Sequence, residues 1–320
     1  MLALLNRAAY RLHEITPSGW MSIGKAGKTR ATFVDGGNSS IIKTPAAELQ
    51  RIRTAAVATE NNKLAEAIQK EGYLLAKLAP DEAGKIQCRP ELRESTLEIG
   101  IDDLTGISSE TAVKAANTDA LVKFCETARR LAEIKTAQNA VIRKKSRFIV
   151  LDGTLEAFNA AEMRAIVELM AAGVDNSVVI GSVAKTCSLL TDSGKPLLEA
   201  VQGIAGNNEG YIIVGEGLKE GHRAIVAIAK LNNSSNYLFR IEAADKDELS
   251  QLTSMLAGQS NDLAFPGYPY GLIMADRFAR ISDNDVEITK SKIVATATAE
   301  MKELLKHEKA LDAHSVLDNM

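Results

Sequence analysis

The apolar positions of the chain fall into two kinds of run. Residues 146–153 (SRFIVLDG) and 176–183 (NSVVIGSV) carry apolar stretches without alternation, the pattern of strands buried on both faces of a sheet. Residues 211–215, 222–230 and 236–243 read as three antiparallel strands, and 95–101 (STLEIGI) as a further strand. Residues 30–37 (RATFVDGG) predict a short strand that ends in a glycine-rich turn. Three- and four-residue spacing predicts helices over 2–14, 61–77, 118–143, 160–172 and 246–257, one from the PGYPYG loop to about 281, and a last one over 286–307. Residues 48–59 fit a strand or a helix by periodicity, and their place after a Gly-Gly-Asn turn predicts a strand.

Strands and helices mixed in this way predict an α/β fold, a mixed sheet flanked by helices, with insertions and a C-terminal helical segment. The chain has no internal repeat, low-complexity segment or linker, so a single domain over 1–320 is expected. The terminal helices, 2–14 and 286–307, would pack on it or on a dimer partner.

Composition narrows the chemistry. The 320 residues are 46% hydrophobic and 25% charged, ordinary for a globular protein. No apolar run is long enough for a membrane span, and the N-terminal stretch meets Arg7, Arg11 and His13 too soon for a signal peptide. A cytoplasmic location without membrane association is the expectation. Cys88, Cys125 and Cys187 are far apart, with no CxxC pair, and the four histidines lack HxxxH or HExxH spacing, so a zinc site is disfavoured. The net charge of −3 neither advertises nor excludes a nucleic-acid partner.

Two strands end alike: Phe33-Val34-Asp35-Gly36-Gly37 and Val150-Leu151-Asp152-Gly153-Thr154. An aspartate closing a buried strand is held rigidly, and the glycine after it lets a phosphate or another backbone approach closely. Asp-Gly also marks simple turns, but two such motifs after strongly apolar strands put two carboxylates within reach of one hard cation. Oxygen ligands suit Mg2+ and Mn2+, which can activate water and stabilise a leaving oxygen in phosphodiester hydrolysis.

With these motifs in view, about residues 30–290 resemble the NurA nuclease family. VDGG and FIVLDGTL are similar to its first two motifs, and VIGSVAKT (179–186) to its strand-to-lysine segment. LFRIEA (238–243) and PGYPYGLIMADRFARIS (266–282) are similar to its closing arginine strand and its Gly-Tyr-Pro helix start. The resemblance implies a ribonuclease-H-like core, Mn2+- or Mg2+-dependent cleavage of DNA, a ring-shaped homodimer, and partnership with a HerA-type hexameric ATPase in DNA end processing, whether for repair or for defence. The chain departs from the pattern at Asp276, where the family usually carries histidine. Aspartate still binds a hard cation but does not protonate a leaving group readily at pH 7.

The remaining candidates each have a plainer reading. A third acidic ligand is expected on the helix before the second aspartate strand, with Glu133 preferred to Glu126, although Arg129 and Arg130 between them suggest a solvated ladder. Glu60 is an outsider. Metal binding is thus expected at Asp35, Asp152, Glu133 and Asp276, with Lys185 at the scissile phosphate or DNA backbone. Arg240, inside an apolar strand, and Tyr270, in the loop with Tyr268, are further DNA-contact candidates, although the tyrosines also suit a helix cap. The Arg143, Lys144, Lys145 and Arg147 cluster either touches phosphates or is solvated. Two alternatives stand beside the nuclease: a catalytically weakened DNA clamp or regulatory partner of a HerA-like motor, and an actin-like ATP phosphotransferase, which also uses DxG turns.

Overall fold

The computed structural model describes residues 10–13, 15–24, 27, 29–110, 119–191, 193–219, 222–296 and 298–311. These residues form two compact units. The first comprises the described residues of Met1–Asp35, Ala55–Ile68 and Glu133–Arg277; the second comprises those of Gly36–Thr54, Gln69–Ala132 and Phe278–Met320.

The strands are β1 (Tyr10–Leu12), β2 (Arg30–Lys43), β3 (Ala47–Glu60), β4 (Lys63–Pro80), β5 (Ile86–Arg93), β6 (Phe148–Asp152), β7 (Val179–Ala184), β8 (Gly210–Lys219), β9 (His222–Lys230) and β10 (Phe239–Ala243). The helices are α1 (Ile101–Glu110), α2 (Asp119–Ile142), α3 (Ala160–Asn176), α4 (Leu197–Ala205), α5 (Lys246–Gly258), α6 (Tyr270–Ala279), α7 (Asp283–Thr296) and α8 (Ala299–Leu311). Strands β2, β3 and β4 each contribute residues to both units.

In the first unit the strand order is β1-β8-β9-β10-β7-β6-β2, followed by the parts of β3 and β4 that belong to it. Strands β2, β6 and β7 are parallel, with Val34 paired to Leu151 and Leu151 to Ser182. Strands β7, β10, β9 and β8 continue antiparallel. The apolar runs of β6 and β7 are buried because helices cover both faces. On one face α5 and α6 pack so closely that glycines are required. A Cβ on Gly181 would strike the Leu252 side chain, and one on Gly271 would strike the Phe33 ring. On the other face α3 rests Gly173 against Ile180, and α4 buries Leu197 and Val201 against Ile212, Val226 and Ile228.

The second unit contains the remaining parts of β2, β3 and β4, in that order, with β5 at the edge. Its core gathers Ile41, Ile42, Leu49 and Leu75 with Met301 and Leu305 of α8. Cys88 and Cys125 are buried here as thiols, and burial pushes the Cys88 pKa up to about 12.

Several expectations are corrected. Strand β2 does not turn at Gly36-Gly37 but runs on to Lys43; Gly37 is needed because a Cβ there would collide with the Ala279 carbonyl. Residues 63–77 are strand, not helix. Lys, Glu, Ala and Leu favour helix intrinsically, but pairing with β5 and the burial of Leu74, Leu75 and Ala76 hold β4 extended, with ion pairs along it: Arg30–Glu66 at 2.9 Å, Arg51–Glu71 at 2.8 Å and Lys77–Glu91 at 2.9 Å. The hairpin before it turns on Asn61 and Asn62, both left-handed at φ 52° and 60°. Residues 95–100 form no strand. Thr96 exchanges hydrogen bonds with the Glu71 backbone, and Asp103 accepts from Gly100 N–H at the start of α1.

The long C-terminal helix is two helices, with Thr298 accepting from Met301 and Lys302 to start α8. The expected helix over 2–14 lies mostly outside the described residues, and its residues 10–12 form β1, paired with β8.

The close contact at Gly271 yields a stability prediction. Gly271→Ala should cost about 1–3 kcal/mol in urea denaturation, as overpacked cores do, and Phe33→Leu in the same background should recover part of it. Unchanged stability in the alanine variant would contradict this packing.

Candidate active site

The pairing of β2 with β6 builds the centre of the site. Val34 and Leu151 are register partners, and the next residue of each strand is an aspartate, Asp35 and Asp152. In a parallel ladder this sets both carboxylates on the same face of strands about 4.8 Å apart. Asp152 closes β6 and pairs with Val183 of β7, so the site lies at the carboxyl ends of parallel strands, where α/β sheets bind ligands. Gly153, at φ 102°, makes the turn out of β6 that an L side chain would resist, and its N–H donates to the Val183 carbonyl at 2.9 Å.

Lys185 follows the end of β7 and donates from Nζ to Asp152 Oδ2 at 2.8 Å. The Tyr268 hydroxyl donates to the same oxygen at 3.2 Å. The Lys185 ammonium stands 5.0 Å from the Tyr268 ring centroid, and the ring is fixed by Phe239 and Phe265 at 5.2 and 5.1 Å. Tyr268 is 1% exposed. It reaches the site because Gly267, at φ 89°, takes a turn in which a Cβ would strike the Ser235 side chain. Sequence pattern groups Tyr268 with helix-capping residues. Its signal is position: it directly precedes the Pro269 that opens α6, the helix seated on Phe33.

Electrostatics define the same group. Burial works to lower the Lys185 pKa, but Asp152, then Asp35 and Asp276, outweigh it and raise the pKa above its ordinary 10.5. Burial, joined by Asp152, Asp35 and Asp276, pushes the Tyr268 phenol far upward, so it stays a neutral donor. Asp276 lies on α6 beyond Gly271 and acts on both residues after Asp152 and Asp35.

The structure therefore brings Asp35, Asp152, Lys185, Tyr268 and Asp276 into one electrostatic neighbourhood. The four-carboxylate set expected from the sequence does not close: among the described residues no three histidine, cysteine or carboxylate side chains come together as a ligand set. At Asp152 a cationic Lys185 supplies the counter-charge instead. Glu133 is 2% exposed, so it is no part of a solvated ladder, whereas Glu126 is exposed. The end of α2 that bears Glu133 runs beside α3, with Gln138 donating to the Ala165 carbonyl and Lys135 pairing with Glu168 at 3.0 Å.

Arg240 is not in the cluster. It pairs in register with Ala184, while Asp152 pairs with the neighbouring Val183, so it points from the opposite face of the sheet. It is 4% exposed and bound to Glu242 at 2.5 Å, which removes it as a DNA contact. Burial pushes the Glu242 carboxyl upward against the pull of Arg240. Tyr270 is half-buried at the start of α6, its N–H bonded to the Gln259 carbonyl. The basic cluster also lies elsewhere. Arg147 precedes the amino end of β6, the end away from the aspartates, and there bonds Gln251, while Lys145 pairs with Glu66.

An open sheet, parallel at its centre and antiparallel beyond it, with helices on both faces has the ribonuclease-H-like fold. Among solved structures the fold is that of NurA nucleases. The NurA nuclease from Sulfolobus solfataricus superposes with a TM-score of 0.55 at 12% identity, covering 87% of this chain and 89% of that one. A NurA structure with manganese gives 0.50 at 9% identity, covering 88% and 92%. A further NurA structure gives 0.52 at 9%, covering 90% and 93%. No family model and no curated protein matches the sequence. Among the described residues no helix is long and apolar enough to cross a membrane.

The raised Lys185 pKa should be visible in stability at alkaline pH. A folded-state pKa raised above the unfolded value contributes stability that is fully present below about 10.5 and lost as pH rises through the folded value. The stability difference between the wild type and Lys185→Met should therefore stay constant near neutrality and shrink at alkaline pH above that value. A difference that is flat through the alkaline range would contradict the Lys185–Asp152 pairing.

Proposed function

We propose that this chain is a divalent-cation-dependent deoxyribonuclease of the NurA type. The observation that carries the reading is the register of β2 and β6, which sets Asp35 and Asp152 side by side with Lys185 and Tyr268 on Asp152. Two adjacent carboxylates on one face of the sheet fit a hard cation, whose oxygen ligands lie at about 2.0–2.6 Å. Asp35 and Asp152 would hold Mn2+ or Mg2+, and Asp276, with Glu133 as the further candidate, would complete the set. The bound cation supplies charge stabilisation for the phosphodiester and lowers the pKa of attacking water.

The chain's own groups do the rest. Lys185 is the mobile cation of the site: 40% exposed, it is free to leave Asp152 for a phosphate oxygen as the carboxylates engage a cation. Tyr268, held neutral, keeps one Asp152 oxygen oriented through its hydroxyl. Asp276 lacks the imidazole that would protonate a leaving oxygen near pH 7. The fold match to NurA nucleases, one of them with manganese, supports nuclease activity with Mn2+ as cofactor. A homodimer and a HerA-type ATPase partner belong to the same reading.

A second reading, a catalytically weakened DNA clamp for a HerA-like motor, draws support from Asp276, which stands where the NurA pattern has histidine. No observation favours an actin-like phosphotransferase.

The deciding experiment incubates the purified protein with end-labelled DNA in Mn2+, Mg2+ or EDTA, with and without a HerA-type partner. Cleavage should require the cation, and Asp35→Asn should lower it by at least about 100-fold, the scale of losing one preorganised charge-stabilising group, while thermal denaturation remains cooperative. Cleavage undiminished in Asp35→Asn would overturn the site. DNA binding without cleavage in any condition would favour the clamp.

A further inference from the structure

Behind the aspartates, on the reverse face of the sheet, lies a charged pair that an apolar interior would ordinarily avoid. Glu242 is 1% and Arg240 4% exposed, and their charges meet at 2.5 Å. A buried ion pair gains little over apolar replacements in stability, so its contacts need another account. Glu242 Oε2 accepts the Leu155 N–H at 2.7 Å, a buried hydrogen bond to the third residue after Asp152. Gly153 N–H is tied to Val183 at 2.9 Å. The two bonds bracket Thr154, so the chain leaving Asp152 is pinned on both sides of its turn.

Arg240 completes the arrangement. It is the register partner of Ala184, the residue before Lys185, and Glu242 is the partner of Ser182. It also reaches toward Glu156 of the same exit loop, at 3.9 Å. The strand paired with the Lys185 segment thus reaches, through Glu242 and Arg240, the loop that follows Asp152. On the other face the side chains of Lys185 and Asp152 meet at 2.8 Å.

We propose that Glu242 is a positioning residue: its buried carboxylate, partnered by Arg240, accepts the Leu155 amide and so fixes the Asp152 carboxylate against Lys185 and a bound cation. The role rests on the nuclease reading for its catalytic consequence, but the anchoring itself does not. Neither residue touches substrate.

The test compares two double variants, each of which removes the buried charges together. Arg240→Met with Glu242→Gln keeps an acceptor for the Leu155 N–H; Arg240→Met with Glu242→Leu removes it. Three quantities are read: amide exchange in 15N-leucine-labelled protein, Mn2+ affinity by titration with Mn2+ alone, and kcat and KM on DNA. The Met/Leu variant should stay folded, lose protection at the Leu155 amide, and lose about 10- to 100-fold in Mn2+ affinity or kcat, the usual range for groups that orient ligands, with KM little changed. The Met/Gln variant should stay near wild type in all three.

Wild-type kcat and Mn2+ affinity in a folded Met/Leu variant would overturn the proposal, as would equal losses in both variants. If the wild type cleaves no DNA, the nuclease reading fails, and amide exchange with Mn2+ affinity still decides the anchoring. If Met/Leu does not fold, the single variant Glu242→Gln, with its acceptor kept, must retain Leu155 protection; loss of protection there would overturn it.

Discussion

The site depends on one backbone constraint, the in-register parallel pairing of β2 with β6. A slip of one residue would send one aspartate to the opposite face of the sheet. The register is held by packing rather than by the carboxylates, which would repel one another. Phe33 and Val150 are fully buried, and Gly271 lets α6 sit directly on Phe33. The helix that locks the strand is also the helix that brings Asp276, and the loop opening it brings Tyr268. Packing and chemistry are therefore the same contacts here: changing how α6 rests on β2 changes what faces Asp35 and Asp152.

Charge balance is the second constraint. Two adjacent carboxylates in a half-buried site need a counter-charge, and Lys185 provides it at Asp152. A lysine on a flexible stem suits the proposed exchange of cations: it neutralises Asp152 here and would be free to turn to a phosphate if Asp35 and Asp152 held a metal. The face behind is handled differently. There Arg240 and Glu242 are locked together in the interior, a fixed pair behind a mobile one.

Much of this is legible in the sequence. The Asp-Gly end of β6, the unalternating burial of β6 and β7, the three antiparallel strands and the long helix α2 all follow from local pattern. What stays hidden is decided by contacts distant in sequence. Residues 63–77 have the composition of a helix and become a strand through pairing with β5 and the burial of Leu74, Leu75 and Ala76; the Asn61-Asn62 hairpin is the available clue. The glycines at 36 and 37 look like a turn, yet the strand runs through them and Gly37 serves close approach. Strand alternation puts Arg240 on one face of its sheet, but which face depends on the β7–β10 register, which no local pattern sets. Tyr268 is easily undervalued, because a tyrosine before proline looks like a cap until α6 is known to cover the aspartates.

The central claim is that Asp35 and Asp152 jointly hold one cation, with Lys185 giving way to it. The most direct measurement is a crystal structure of the protein soaked in Mn2+, with anomalous scattering to locate the ion. The account predicts an anomalous peak within about 2.0–2.6 Å of oxygens from both aspartates, with Lys185 Nζ displaced from Asp152. A fully occupied Mn2+ site elsewhere, or no peak while the 2.8 Å Lys185–Asp152 bond persists, would contradict it.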